Sequence, residues 1–571
     1  MKDIDLTIKV GGEAGQGIQT IGYSLARVMT RSGYHVFSCQ DYESRVRGGH
    51  NVFQMRVADK RVLSSRRAVD LLIALDADSL PFHGPELSSN GSAIYDSASS
   101  GSSSDDNRFV DVPFRELARK RGGDEVMANS VAMGAALAML GAGPKMLIEV
   151  LEESLAKKGD EVIRGNREAV RAGWEFASEN SRGRDVKLRD AGKTKALIEG
   201  SEAIAVAAIG SGCRLYAAYP MTPSTGILNF MASKAKEFGL VVEQAEDEIS
   251  AINMIIGASY AGVRAMTGTS GGGFSLMVEG VSLAGMTETP VVIALGQRPG
   301  PATGLPTRTE QADLLFALHA GHGEFARIIF APGTPEQAFR LVSKAFDLAE
   351  KYQAPAVILT DQLFSDAQWT LEEVDGNEIF YNDHRLRGEE LESIEGYRRH
   401  EFTESGVSPL AIPGASRHLV VTDSDEHDEE GHITEDAQIR TKMVEKRLLR
   451  KVPLIREEIS QPLKYGSDNP EILLVGWGST CGVMKDAVDF LSNRRNIAML
   501  HFSEVYPLPA AKPGFLDILE GPGISVCVEN NAEGKFASLL KAETGYEFDM
   551  KVNKYDGRPF TLDDLVEKIN V

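Results

Sequence analysis

The chain has 571 residues, 42% of them hydrophobic and 25% charged, with a formal net charge of −21. That length predicts about three to four domains, and the acidic balance argues against nucleic acid or an anionic membrane as a partner. No apolar run is long enough to span a bilayer, and the opening Met1-Lys2-Asp3-Ile4-Asp5 has no apolar signal core, so a cytoplasmic protein is expected.

The first 185 residues read as an independent α/β unit. A strand over Leu6–Val10 leads into a glycine loop, Gly11 to Gly17, then a helix over Ile18–Arg31 and strands at His35–Ser38 and Leu71–Leu75. The Ser/Gly/Asp-rich stretch from Ser88 to Asn107 is expected to be a surface loop. Gly15-Gln16-Gly17 between strand and helix also resembles part of a dinucleotide fingerprint, with Thr20 in place of the third glycine and Asp41 further on. Polar residues 186–195 form a linker.

Residues 196–370 carry the chemistry. A helix of small residues precedes Cys213, a strand follows at Leu215–Ala218, and the chain then breaks at Tyr219-Pro220-Met221-Thr222-Pro223-Ser224. Ser224 is expected to cap the next helix, which places Thr222 on a rigid turn at a strand's C-terminal end, where open α/β sheets bind ligands. After a strand at Leu240–Gln244, Glu246, Asp247 and Glu248 open a helix dotted with small residues. Another strand ends in Thr267-Gly268-Thr269-Ser270-Gly271-Gly272-Gly273, expected to be a loop whose amides face an anion or a cofactor's rings. A last strand, Pro290–Leu295, delivers Gln297 and Arg298, and a helix over Pro335–Tyr352 and a strand over Pro355–Thr360 complete the unit. From these residues alone, the three acids either serve a helix N-terminus or include a catalytic acid.

Residues 371–465 are poor in regular pattern and rich in charge, and read as a long, partly extended connection. Their Asp423–His432 run is a metal candidate or a solvated acidic loop. From 466 to 571 a new α/β pattern runs through strands near Ile472–Val475, Ile497–Leu500 and Ile524–Val528, the last followed by Glu529-Asn530-Asn531, assigned to assembly rather than chemistry. Cys39, Cys213, Cys481 and Cys527 are far apart, without a C-x-x-C pair, and match no iron–sulfur or zinc ligand set.

Taken together, the YPMTPS turn, the acidic helix start, Gly257 and Gly262, the TGTSGGG segment and Arg298 resemble the alpha subunit of thiamine-diphosphate-dependent 2-oxoacid:ferredoxin oxidoreductases. The form resembled has the gamma domain fused at its N-terminus, and the likeness covers nearly the whole chain. It implies a multidomain α/β fold: a gamma-type domain over 1–185, a pyrimidine-binding domain over 196–370, the connecting segment, and a transketolase C-terminal-like domain over 466–571. It assigns Glu248 as the catalytic acid, because thiamine diphosphate needs a carboxyl on the far nitrogen of its aminopyrimidine ring. Thr222 and Arg298 would hold the substrate, since a planar guanidinium can grip a 2-oxoacid carboxylate bidentately. Tyr219, Pro220, Thr269, Ser270 and Gly271 would contact the cofactor. Gly15, Gln16, Gly17, Arg45 and Arg47 would meet the phosphates of coenzyme A.

The chain has no Gly-Asp-Gly magnesium motif, because neither Gly123-Asp124 nor Gly159-Asp160 continues to glycine. The resemblance therefore implies a beta subunit carrying the diphosphate and Mg2+ site and a [4Fe–4S] cluster, ferredoxin as electron acceptor, and an (alpha-beta)2 assembly. The expected reaction is coenzyme A-dependent oxidative decarboxylation of 2-oxoglutarate, with reversal to fix carbon dioxide. Pyruvate, branched 2-oxoacids, or a non-catalytic nucleotide-binding assembly subunit are the alternatives.

Overall fold

The computed structural model describes residues 4–44, 48–101, 108–180, 188, 191–371, 375–521 and 523–569. Arg45 and Arg47 therefore lie outside the described residues, as do parts of the 186–195 linker and of the Ser88–Asn107 stretch. The chain divides into two compact units, Met1–Ile198 with Ala367–Glu372 and Phe560–Glu567, and the remainder.

The first unit is built on strands β1 (Asp5–Glu13), β2 (His35–Asp41), β3 (His50–Ala58), β4 (Val69–Ala74), β5 (Leu87–Tyr95) and β6 (Phe109–Asp111). Their order is β6-β5-β4-β1-β3-β2, extended by short strands at Gln368–Thr370 and Leu197–Glu199. β1 runs parallel to β4 but antiparallel to β3, which itself pairs antiparallel with β2. Two expectations are corrected here. Gly11 and Gly12 belong to β1 and pair with Val52 and Asn51, so only Ala14–Gly17 turns. Residues 87–95 form a strand, not a surface loop, because β5 docks parallel on β4 and buries Gly91–Tyr95; ladder pairing overrides a Ser/Asn/Gly composition. The core joins Leu25, Phe53, Ile73, Val131 and Val170 from both layers.

The second unit holds two sheets. Strands β8 (Leu215–Ala218), β9 (Val241–Gln244), β10 (Ala265–Ser270), β11 (Val291–Gln297), β12 (Ile328–Phe330) and β13 (Pro355–Asp361) are parallel, with β7 being the Leu197–Glu199 strand above. Their order is β12-β13-β11-β10-β8-β9, with an antiparallel strand at Glu504–Tyr506 beyond β12. β11 and β13 are buried at every position, the signature of strands covered on both faces. The helix Pro335–Tyr352 matches its expected bounds, with proline in its first turn and Thr334 accepting from the Gln337 N–H at 3.3 Å. The second sheet pairs Ile472–Trp477 with Ile497–Phe502 and Ile524–Glu529, all parallel. One hydrophobic core runs through both sheets, including Phe274, Leu295, Trp477 and Phe536.

The connecting segment is more regular than its sequence predicts. Ala437–Val444 and Lys451–Glu458 are helical, joined through Glu445–Arg450. Lys446 and Lys451 from this stretch both pair with Glu288, and all three side chains are buried. His400 Nδ1 lies 3.1 Å from Glu288 Oε1, and Arg399 donates to the Glu288 carbonyl at 2.7 Å. Burial works to raise the Glu288 carboxyl, but the two lysines and His400 outweigh it and hold it well below the usual carboxylate range.

Candidate active site

Four strand ends converge in the larger sheet. The turn after β8 packs on β11, where a Cβ on Gly296 would stand 2.8 Å from Pro223 Cγ. Ser224 does not cap the following helix, Thr225–Phe238. Its backbone is already helical (φ −75°, ψ −10°), whereas a capping side chain needs an extended backbone to reach the free amides. Its hydroxyl instead donates to the Met221 carbonyl at 2.7 Å and closes the turn. The turn presents the Thr222 carbonyl to Arg298, whose Nη1 donates to it at 2.8 Å. The structure thus brings Thr222 and Arg298 together, through the threonine backbone. Tyr219 is exposed and Pro220 half-buried beside them.

The three acids separate cleanly. Glu246 is exposed. Asp247 is the N-cap of the helix Glu248–Tyr260, with extended backbone and a carboxylate that accepts from the Ser250 N–H at 2.7 Å, and that bond holds its carboxyl below the usual range. Glu248, the first helical residue, is 3% exposed, and its Oε1 is buried without a hydrogen-bond partner.

The Thr267–Gly273 segment is not a loop. β10 continues through Ser270 and the helix Gly271–Met286 starts at the next residue. The three glycines form its first turn, and at Gly273 a Cβ would come well inside 3.0 Å of both Thr269 Oγ1 and Glu248 Oε1. Glycine is required there by close approach. Thr269, Ser270 and Gly271 therefore lie beside Glu248 at the strand end, as expected of cofactor contacts, though as strand and helix.

Several buried polar atoms on and around these strands have no hydrogen-bond partner: Tyr216 OH, Glu248 Oε1, Thr267 Oγ1, Ser270 Oγ and Asp313 Oδ2. Each such group costs about 1–3 kcal/mol, so such groups mark a place built to bond something further.

Asp313 is not among the residues singled out from the sequence, which in this stretch end at Arg298. Its N–H donates to Gln297 Oε1 at 2.9 Å, and Gln297 in turn donates to the Thr360 carbonyl at 3.0 Å, so β11 fixes both Asp313 and Arg298. A Cβ on Gly271 would lie 2.6 Å from Asp313 Oδ2. Burial pushes the Asp313 carboxyl up to about 6, against the pull of Lys535 and Arg298. Asn530 and Asn531 serve this region. The Asn530 N–H donates to Gln311 Oε1 at 3.0 Å and Asn531 Nδ2 to the Gln311 carbonyl at 3.0 Å, latching the segment that carries Asp313.

In the first unit, Gly15, Gly17, Thr20, Gln40, Tyr42 and Asn51 line a crevice of about 350 Å³. Gly17 is left-handed (φ +79°), and the Gln16 carbonyl accepts from Asn129 Nδ2 at 2.9 Å. β3 separates β1 from β2, so the adjacent parallel pair of a dinucleotide-binding βαβ unit is not formed here. In the acidic run, Glu426 pairs with Arg440 and Arg447, and His427 is buried against His400 at 4.0 Å between ring centroids. Among the described residues no group of three or more His, Cys, Asp or Glu is arranged to hold a metal ion. No helix among them is long and apolar enough to cross a membrane.

A buried acid beside a strand–helix junction and an anchored arginine make an α/β site suited to an enzyme, and comparison with known proteins supplies its class. Residues 206–446 match the family model for pyruvate flavodoxin/ferredoxin oxidoreductase, thiamine diphosphate-binding, and residues 7–176 that for pyruvate ferredoxin/flavodoxin oxidoreductase. The 2-oxoacid:ferredoxin oxidoreductase subunit alpha of a Sulfolobus species is 32% identical over 98% of this chain and 96% of its own. The 2-oxoglutarate synthase subunit KorA of Methanocaldococcus jannaschii is 34% identical over 55% of this chain and 83% of its own. The structure of 2-oxoglutarate:ferredoxin oxidoreductase from Magnetococcus marinus, with 2-oxoglutarate, coenzyme A and succinyl-CoA bound, superposes with a TM-score of 0.92 at 28% identity, covering 100% of this chain and 99% of that one. The chain belongs to the alpha-subunit family of 2-oxoacid:ferredoxin oxidoreductases.

Proposed function

We propose that this chain is the gamma-fused alpha subunit of a coenzyme A-dependent 2-oxoglutarate:ferredoxin oxidoreductase, forming succinyl-CoA and reduced ferredoxin and able to run in reverse. It works with a beta subunit that carries Mg2+ and a [4Fe–4S] cluster, in an (alpha-beta)2 assembly. The proposed domains are 1–185, 196–370 and 466–571, joined by 186–195 and 371–465.

One observation carries the reading: the buried, unpartnered Glu248 Oε1 beside Gly273 at the strand edge. It fits a cofactor that brings its own hydrogen-bonding nitrogen to a carboxyl. When bound, thiamine diphosphate supplies the carbanion stabilisation that lets a 2-oxoacid lose carbon dioxide. Glu248 holds a proton at the far nitrogen of the pyrimidine ring, and its burial excludes water from that bond. Tyr219, Pro220, Thr269, Ser270 and Gly271 wall this position. Arg298, steadied on the Thr222 carbonyl, grips the substrate carboxylate. Gly15, Gln16 and Gly17, with Arg45 and Arg47, would receive the coenzyme A phosphates. The substrate assignment rests on the Magnetococcus marinus and Methanocaldococcus jannaschii proteins, whose names specify 2-oxoglutarate. Pyruvate is the second reading, because both matched family models carry its name.

The test is an assay of the assembled complex with 2-oxoglutarate, pyruvate and a branched 2-oxoacid, using a dye acceptor. The reading expects 2-oxoglutarate to give the highest kcat/KM, with acceptor reduction dependent on coenzyme A. A higher kcat/KM for pyruvate would overturn the substrate, and no turnover of any 2-oxoacid would overturn the enzyme reading.

A further inference from the structure

Asp313 holds the N-cap position of the helix Leu314–His319 without capping it. Aspartate at such a position ordinarily accepts from the free amides of the first turn, as Asp247 does for its own helix. The Asp313 backbone (φ −94°, ψ 5°) is not extended, and its side chain makes no bond to the helix it opens. The carboxyl lies instead against Gly271, where a Cβ would stand 2.6 Å from Oδ2, 3.0 Å from Cγ and 3.1 Å from Oδ1. Oδ2 is buried there and has no hydrogen-bond partner.

That place adjoins the arginine assigned to the substrate. Ser270 of β10 stands opposite Gly296 of β11, so Gly271 comes level with Gln297, and Arg298 follows. The bond from the Asp313 N–H to Gln297 Oε1 fixes the acid to the same strand end. The charged groups facing its carboxyl are Arg298 after β11, Lys535 at the start of the helix Lys535–Thr544, and Glu310 three residues earlier. The helix Gly271–Met286 offers only glycine in its first turn, which Glu248 approaches at Gly273. His319 is at the far end of the helix Leu314–His319.

We propose that Asp313 is a further substrate contact: as the neutral acid it donates a hydrogen bond to the carboxylate that Arg298 grips, so that binding a 2-oxoacid takes up one proton. This rests on Arg298 as the substrate grip of the proposed function. An ionised Asp313 would set like charge beside the substrate and compete with it for Arg298, so a bound carboxylate favours the acid form. A carboxylic acid donates to a carboxylate through a short, charge-assisted bond. Burial already holds this carboxyl up at about 6 against the two cations, which brings the acid form within reach near neutral pH.

The test is KM for the preferred 2-oxoacid, 2-oxoglutarate in the proposed function, measured in the assembled complex at saturating coenzyme A from about pH 5.5 to 8.5. Above about 6 the wild-type KM should rise, approaching tenfold per pH unit, because a proton enters with the substrate. Asp313→Asn donates at every pH and carries no charge, so its KM should be level, and lower than wild type at the alkaline end. Asp313→Ala should be level and higher than wild type at the acid end. A merely structural aspartate predicts poorer binding in both variants at every pH. A level wild-type KM would overturn the proposal, as would a wild-type slope that persists in Asp313→Asn. Arg298→Lys separates the two claims. A KM raised at every pH in that variant, beside a level wild-type profile, removes Asp313 alone, whereas an unchanged KM removes Arg298 and this proposal with it.

Discussion

Glu248 and Gly273 occupy one space: a Cβ on residue 273 would come well inside 3.0 Å of Glu248 Oε1. The carboxyl is therefore positioned by the absence of a side chain on the facing helix. Gly273→Ala should overpack the junction by about 1–3 kcal/mol and displace Glu248. Thiamine diphosphate binding and turnover in the assembled complex should fall together, while the circular dichroism spectrum stays that of wild type. Retained wild-type turnover would show that Glu248 does not need its present place.

Glu248→Gln keeps the shape but removes the acid. Turnover should drop by about 10²–10⁴-fold, the usual contribution of general acid–base groups, with folding intact. Asp247→Ala should behave in the opposite way, costing about 1 kcal/mol of stability through the lost cap and leaving the rate nearly unchanged. Glu246→Gln should alter neither. Exchange of the thiazolium C2 proton in the complex distinguishes the three. Fast exchange in Glu248→Gln with slow exchange in Glu246→Gln would move the acid to the other residue.

Arg298→Lys loses the planar fork and the bond to the Thr222 carbonyl. An ammonium has no geometry for a bidentate carboxylate, so KM for the 2-oxoacid should rise by about 10–100-fold with smaller change in cofactor affinity. Steady-state kinetics against substrate and thiamine diphosphate separately would reveal it.

Two buried acids give the fold a pH signature. Asp361 is pushed up to about 6 by burial despite hydrogen bonds from the Phe364 N–H and Ser479, and Asp313 also sits at about 6. Above the unperturbed value of 3.8 the unfolded chain releases these protons while the folded chain keeps them. Their contribution is therefore fully present below 3.8, falls as pH rises to about 6, and is level beyond. Each accounts for at most about 3 kcal/mol. Denaturant midpoints between about pH 4 and 7 should show a shallower slope in Asp361→Asn than in wild type. An identical slope would mean that Asp361 is ionised in the folded state throughout.

Legibility in the sequence followed how local each feature is. The helices at Ile18–Arg31 and Pro335–Tyr352 have the expected bounds, because periodicity and caps lie within a few residues of each end. β3 is legible in the sequence, because Phe53, Met55 and Val57 alternate with Gln54 and Arg56 directly after the Gly48-Gly49 turn signal, yet it is missing from the expected strands. β5 was hidden by its serines, because what makes it a strand is β4 alongside. Glu248 could be singled out from its neighbours only through family resemblance, since burial decides between adjacent acids and burial is not local. Asp313 was illegible for the same reason: its environment comes from Gly271, Gln297 and Lys535, all distant in sequence.

The Glu288 cluster has a consequence for how this chain can evolve. Deleting Glu288 strands the two buried ammonium groups of Lys446 and Lys451 at a cost of about 3–5 kcal/mol, a large share of a domain's stability. A single substitution at Glu288 therefore passes through a destabilised intermediate, and only a change that also removes the lysines escapes it. The helical part of the connecting segment is bound by inheritance to the end of the helix that begins at Gly271. A chimera that takes the two pieces from different relatives should fail to mature unless both carry the same arrangement of charges.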